Sequence, residues 1–264
     1  MYRKKIFILI VISLVYNTIE VSAQKIYKTN WKQTGIIFCG GTLMFGAGLF
    51  IEDSRKPFTS NEINLLKSES ISSFDKGALG NFSSKASATS DLFRDGVWFA
   101  PLTLFLSNQG RENTKEILMM YTEVFSLNAG FTLFTKAAFG RYRPYSYNPT
   151  VDLEFKLNPT TRRSFFSGHV SQVASMSFFT ATIFDDLYPD SKFKYLVWMG
   201  AISAPAITGY LRVKAGRHFP TDVIVGYGVG ALIGYFIPEL HKISKEKNIT
   251  IIGAENGLGL IYSF

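Results

Sequence analysis

The chain has 264 residues, enough for one large domain or two small ones around a sizeable core. It is 47% hydrophobic and 15% aromatic with a mean hydropathy of +0.12, high for a soluble protein and low for one that is nearly all membrane span. The net charge of +8 is scattered through loops without a Lys/Arg-rich run, which argues against nucleic acid and suits anionic lipid or phosphorylated substrates.

Residues 1–23 begin with Arg3, Lys4 and Lys5, continue through an apolar run from Ile6 to Tyr16 and close on Val21-Ser22-Ala23. That order is the signature of a signal peptide cleaved before Gln24, with an uncleaved anchor as the alternative. Cys39, the only cysteine, rules out an intrachain disulfide and lies too far downstream to be a lipoprotein cysteine. Residues 24–95 read as an N-terminal helix followed by a polar segment. Within them, 34–51 carry no charge and are long enough to cross a bilayer, whereas 52–95 read as loop or short helix.

The main helical core is expected over 96–240. Its first piece, 96–108, is apolar but short and contains Pro101, which fits a buried or interfacial helix better than a span. A long helix follows at 116–140, interrupted in polarity by Glu123 and Asn128. A basic loop with Pro144, Pro149 and Pro159 leads to three more helices at 169–187, 195–212 and 219–238. The last places Gly226, Gly230 and Gly234 on one face, a stripe that lets another helix approach closely. The tail, 241–264, alternates loosely around Gly/Asn turns and predicts a short C-terminal β-hairpin. The fold class is therefore all-α, an antiparallel helical bundle integral to a membrane.

Three polar clusters fall at the ends of these helices. "KAAFGRYRP" holds Lys136 and Arg143 where 116–140 ends; Ser167-Gly168-His169 opens 169–187; "RVKAGRHFPTD" closes 195–212 with Arg212 and opens 219–238 with His218 and Asp222 at i, i+4. Taken singly, each has a bland explanation: an arginine cap, a Ser-Gly helix start, a surface His–Asp pair. Antiparallel packing, however, carries all of them to one end of the bundle. A divalent metal on the two histidines and the aspartate would be repelled by Lys136, Arg143 and Arg212, so no metal and no cofactor are expected. A phosphate reverses that sign, since guanidinium groups, an ammonium and helix-start amides all favour it.

The chemistry follows from these parts. Lys136, Arg143, Arg212, the Ser167 hydroxyl and the Gly168 amide form a phosphate cradle. His218 attacks phosphorus, with Asp222 holding its ring, while His169 protonates the leaving oxygen and later activates water.

These residues resemble the signature of the type 2 phosphatidic acid phosphatase superfamily, which includes lipid phosphate phosphatases, bacterial acid phosphatases and vanadium haloperoxidases. Lys136 to Arg143-Pro144 fits its first motif. Ser167-Gly168-His169 fits the second with Phe166 in place of a proline, and Arg212, His218 and Asp222 fit the third with Leu211 in place of a serine. The resemblance covers roughly 116–240. It implies a phosphatase for lipid-linked phosphates, such as phosphatidic acid-like lipids, undecaprenyl pyrophosphate or lipid A, with a membrane and a phosphorylated lipid as its partners. The alternative is a soluble periplasmic non-specific acid phosphatase.

The expected location is the bacterial inner membrane with a periplasm-facing site, the alternative being the periplasm or an outer-membrane association. The count behind it has 34–51 crossing inward, 96–108 not crossing and 116–140 crossing outward. Lys192, Lys194, Lys242, Lys245 and Lys247 at the other face agree with a cytoplasmic side. Arg162 and Arg163 are open between substrate steering and headgroup contact.

Overall fold

A computed structural model describes residues 25–55, 59–243, 249–254 and 257–262. The expected signal peptide at 1–23 lies outside these residues, as do Lys245 and Lys247. Six principal helices are present: α1 (Trp31–Asp53), α2 (Ser84–Gly96), α3 (Thr114–Phe139), α4 (Gly168–Leu187), α5 (Phe193–Lys214) and α6 (Pro220–His241). Five of them match the expected helices to within a few residues. Helix α2 arises inside the stretch read as loop or short helix, started by the Ser83 hydroxyl accepting from the Ala86 amide at 3.2 Å.

Helix α4 occupies the centre, packed against α5 and α6 and touching α2 and α3. Val173, Met176, Phe179 and Ile183 on it are fully or almost fully buried among Ile117, Met120 and Val124 of α3 and Ile237 of α6. The glycine stripe of α6 faces a serine stripe of α4. A Cβ on Gly226, Gly230 or Gly234 would come within 2.6, 2.2 and 2.2 Å of the carbonyl oxygens of Ser167, Ser171 and Ser175. Small residues on both helices thus bring two backbones together, the packing that operates where no water drives association.

Helices α3 to α6 alternate in direction, as expected. Helix α1 does not alternate with α3. Gly41 lies against the backbone of Ser126, and Gly48, further along, against Leu133 and Phe134, so the two run parallel. The expected count, with 34–51 inward and 116–140 outward, is therefore overturned. What returns the chain between them is a broken traverse: α2, 3-10 turns at Val97–Phe99 and Pro101–Leu106, and a short helix at Asn108–Glu112. Its residues Val97 and Leu104 are buried in the same core, and Trp98 lies against Tyr121 and Phe125 with centroids 6.3 and 5.3 Å away. Pro101 lacks an amide hydrogen, so the segment crosses as tight turns rather than as one α-helix.

Among the described residues, four helices are long and apolar enough to cross a membrane: α1, α3, α5 and α6. Their outer faces expose large apolar side chains, including Ile36, Leu43, Phe50, Leu196, Met199, Leu232 and Phe236. Such a belt far exceeds what a water-facing surface carries and is a lipid face; the protein is membrane-embedded. The polar residues within the helices are matched across them. Glu123 meets His241 at 2.8 Å, Asn128 accepts from the Ser171 hydroxyl, and Asp186 accepts from Tyr27 Oη at 2.6 Å. At the C-terminus, strands β1 (Ile249–Ala254) and β2 (Gly257–Tyr262) pair antiparallel, Ile249 opposite Tyr262.

The α4–α6 contact gives a test. Gly230→Ala should destabilise the detergent-solubilised protein by about 1–3 kcal/mol, because the new methyl meets backbone that must shift. Gly228→Ala, with nothing within 4 Å of the new methyl, should leave thermal unfolding unchanged or slightly improved.

Candidate active site

The three clusters converge at the end of the bundle where α3 and α5 finish and α4 and α6 start. Helix α3 stops at Gly140, whose φ of 56° is the left-handed conformation that closes a helix. The ammonium of Lys136 on its last turn donates to the carbonyls of Arg163 (2.9 Å) and Phe166 (2.6 Å). Position 166 thus serves this contact through its backbone oxygen, which phenylalanine offers as well as proline does. The Arg143 amide donates to the Thr161 carbonyl at 2.9 Å, pinning the two loops together.

Helix α4 starts at Gly168, and the Ser167 amide donates to the Asp222 carbonyl at 3.0 Å, which ties the second cluster to the third. Gly216, with φ of 68° and its α-carbon pressed against the Asn81 carbonyl, turns the chain after α5. That turn delivers His218 into the interior at 1% exposure. Its Nδ1 donates to the Ser164 carbonyl at 2.7 Å, which leaves Nε2 with the lone pair. Burial, then Lys136, Arg143, Arg212 and His169, push His218 well below the ordinary histidine range, which favours the neutral ring.

Asp222 does not hold that ring directly. Its Oδ2 lies 3.8 Å from His218 Nδ1 and instead accepts from the Ser164 hydroxyl (2.6 Å) and the Phe219 amide (2.9 Å). Oδ1 accepts from Arg141 at 2.6 Å. The carboxylate therefore fixes Ser164, whose carbonyl fixes the histidine. Arg141 in turn donates to Asp75 at 2.8 Å, and Asp75 also accepts from the amide (3.0 Å) and hydroxyl (2.7 Å) of Thr221. Although burial pushes the Asp75 carboxyl up, Arg141 and Thr221 hold it below the usual carboxylate range.

His169, in the first turn of α4, meets residues of α2 that nothing in the motif spacing announces. Its Nε2 lies 2.7 Å from Asp91 Oδ1 and 3.0 Å from Arg94 Nη1. Arg212, 3% exposed, donates to the Ser90 hydroxyl at 3.1 Å and lies 3.8 Å from Asp91. Ser90 gives that guanidinium a hydroxyl partner although Leu211 stands where the family pattern has serine. Arg163 pairs with Glu52 at 2.9 Å and Arg162 with Glu62 at 2.7 Å, so both arginines tie α1 and the turn after it to the site loop.

Three buried polar atoms in the site have no hydrogen-bond partner among the described residues: Ser167 Oγ, Arg143 Nε and Arg212 Nε. Buried donors are costly to leave unpaired. Together with Lys136 they make a cradle whose missing counterpart is an anion with several acceptor oxygens. Among the described residues no group of three or more His, Cys, Asp or Glu side chains gathers as a metal site.

Fold and site together define a membrane-embedded helical bundle with an anion cradle and two histidines at one end. Residues 117–245 match the model of the PAP2 superfamily. It is 28% identical over 116 residues to a lipid A 4'-phosphatase of Porphyromonas gingivalis, covering 43% of this chain and 46% of that one. It is also 28% identical over 157 residues to an undecaprenyl-diphosphatase of Sulfolobus acidocaldarius, covering 59% of this chain and 69% of that one. A solved transmembrane PAP2-type phosphatidylglycerolphosphate phosphatase of Bacillus subtilis aligns over 89% of this chain and 92% of its own, with 21% identity and a TM-score of 0.40.

The Asp75 bridge gives a pH test. Its folded-state pKa lies below the unfolded value of 3.8, so its stabilisation is complete above that value and is lost as pH falls through the folded one. Asp75→Asn should therefore unfold earlier than the wild type at neutral pH, and the gap should narrow below about pH 4.

Proposed function

We propose that the protein is a metal-independent phosphatase for lipid-linked phosphomonoesters or pyrophosphates, working through a phosphohistidine. The observation that carries this is the set of unpartnered buried donors of Arg143, Arg212 and Ser167 around a neutral, buried His218. The cradle neutralises the phosphoryl oxygens, with Lys136 and the Gly168 amide completing it. His218 Nε2 bonds to phosphorus as the bond to the leaving oxygen breaks, and that oxygen takes a proton from His169. Water then attacks phosphorus, surrenders a proton to His169 and breaks the P–N bond, releasing phosphate and neutral His218. The lipid face supports a substrate presented from the bilayer. The two relatives' names put lipid A phosphate and undecaprenyl diphosphate first in a substrate panel.

We place the protein in the bacterial inner membrane with the site facing the periplasm. Lys25, Lys28, Lys32, Arg111, Lys115, Lys192, Lys194 and Lys242 gather at the end away from the site, which favours the cytoplasm for that end. Because α1 runs parallel to α3, this orientation puts Trp31 on the cytoplasmic side. A leader cleaved in the periplasm before Gln24 would put it on the other side, so the two expectations exclude each other. In a Cys39→Ser background, an impermeant maleimide on intact cells should label Glu154→Cys and spare Asp190→Cys. The reverse pattern would turn the site to the cytoplasm.

Phosphate release should be measured on detergent-solubilised protein with phosphatidic acid, undecaprenyl diphosphate, lipid A and p-nitrophenyl phosphate. Activity should survive EDTA, vanish in His218→Ala and fall by about 10²–10⁴-fold in His169→Ala. Loss with EDTA, or full activity without His218, would refute the mechanism. Recovery in the soluble fraction with preference for p-nitrophenyl phosphate would point to the acid-phosphatase alternative.

A further inference from the structure

The surroundings of His169 are electrostatically hostile to the role given to it. A general acid must carry its proton when the substrate arrives. Yet the ring is largely buried beside the Arg212 and Arg94 guanidinium groups, with His218 across the cradle and Asp95 further out along α2. Burial and Arg212 pull its pKa down to about 3, with the Asp91 carboxylate acting against them. Among the described residues, Asp91 is the only carboxylate hydrogen-bonded to the ring.

The two neighbours of Nε2 ask for opposite protonation states. Asp91 Oδ1 at 2.7 Å accepts a proton that Nε2 carries, whereas Arg94 Nη1 at 3.0 Å donates to an Nε2 that has lost it. The shorter contact is the one that the protonated ring uses. Asp91 is itself held, 3.3 Å from Arg94 and 3.8 Å from Arg212, so its position is set by the cations that also face the phosphate. Both Asp91 and Arg94 belong to α2, upstream of the matched family domain at 117–245.

We propose that Asp91 is a positioning residue for phosphoryl transfer, keeping the His169 Nε2 proton in place until the leaving oxygen displaces the carboxylate as its acceptor, with Arg94 then supporting the neutral ring. The inference rests on the proposed function. In the transfer step the P–O bond to the leaving group breaks, the His169 Nε2 proton passes to that oxygen, and Arg94 becomes the donor to the bare nitrogen. In the second half-reaction the proton taken from water returns to Nε2, and Asp91 is again its acceptor. Helix α2 is then part of the machinery, not merely a cover.

Leaving-group chemistry separates this role from a structural one. An alkoxide leaving from phosphatidic acid needs the proton, while p-nitrophenolate leaves without it. Asp91→Asn keeps the side-chain shape and removes the charge. Its kcat/KM on phosphatidic acid, which reads the steps up to leaving-group departure and not the shared hydrolysis of the phosphohistidine, should fall by about tenfold or more, and its kcat/KM on p-nitrophenyl phosphate should stay within about threefold of wild type. The second substrate also reports that the variant is folded. Equal losses on both substrates, no loss on either, or a gain on phosphatidic acid would each overturn the role of Asp91. His218→Ala is run alongside: activity surviving there removes the underlying reaction and this inference with it. Its abolition there, combined with equal Asp91→Asn effects, removes the inference alone.

Discussion

The close approach of α4 and α6 is the constraint on which the rest of the molecule depends. Glycines on α6 lie against serine carbonyls on α4, so the two helix starts reach the site as one unit. The Ser167 amide bonded to the Asp222 carbonyl locks their register. With that register set, His169 and His218 face a common cradle, and the ends of α3 and α5 supply its cations. A bulkier residue at any of the stripe positions would open the gap and separate the groups that the chemistry needs together.

Charge gives the site its second organising logic. Lys136, Arg143 and Arg212 are gathered with few carboxylates among them, a costly arrangement that a bound anion would offset. Apart from Asp91, which meets His169 directly, the acidic residues around the site act at one remove. Asp222 and Asp75 hold Arg141, Ser164 and the start of α6, and make no hydrogen bond to the His218 ring. Glu52 and Glu62 restrain Arg163 and Arg162. The carbonyls of Phe166, Arg163 and Ser164 orient Lys136 and His218 without adding negative charge that would compete with the substrate. At Phe166 and Leu211, the two departures from the resembled pattern, the fold supplies contacts of its own. One is a position used through its backbone, and at the other Ser90 of α2 supplies a hydroxyl from elsewhere in the chain.

Much of the fold was legible in the sequence because the main helices are long, apolar and ended by Gly, Pro or charged clusters. The Gly226-Gly230-Gly234 stripe was readable from its four-residue spacing, and so were the three polar clusters from their positions at helix ends. The path of 52–113 was not legible. Its return crossing is broken into α2, two 3-10 turns and a short helix, none of which has the length or unbroken apolarity of a span. Missing it reversed the direction assigned to α1 relative to α3.

What the sequence determined by itself was the set of groups: local spacing decides which residues end or begin a helix, and antiparallel alternation brings those ends to one side. Tertiary structure alone decided the partners. Ser90, Asp91 and Arg94 reach Arg212 and His169 across 75 or more residues of chain, and Asp75 reaches Thr221 across 146. Contacts of that span leave no periodicity for a sequence to show, because they depend on where a broken segment is laid against the finished bundle.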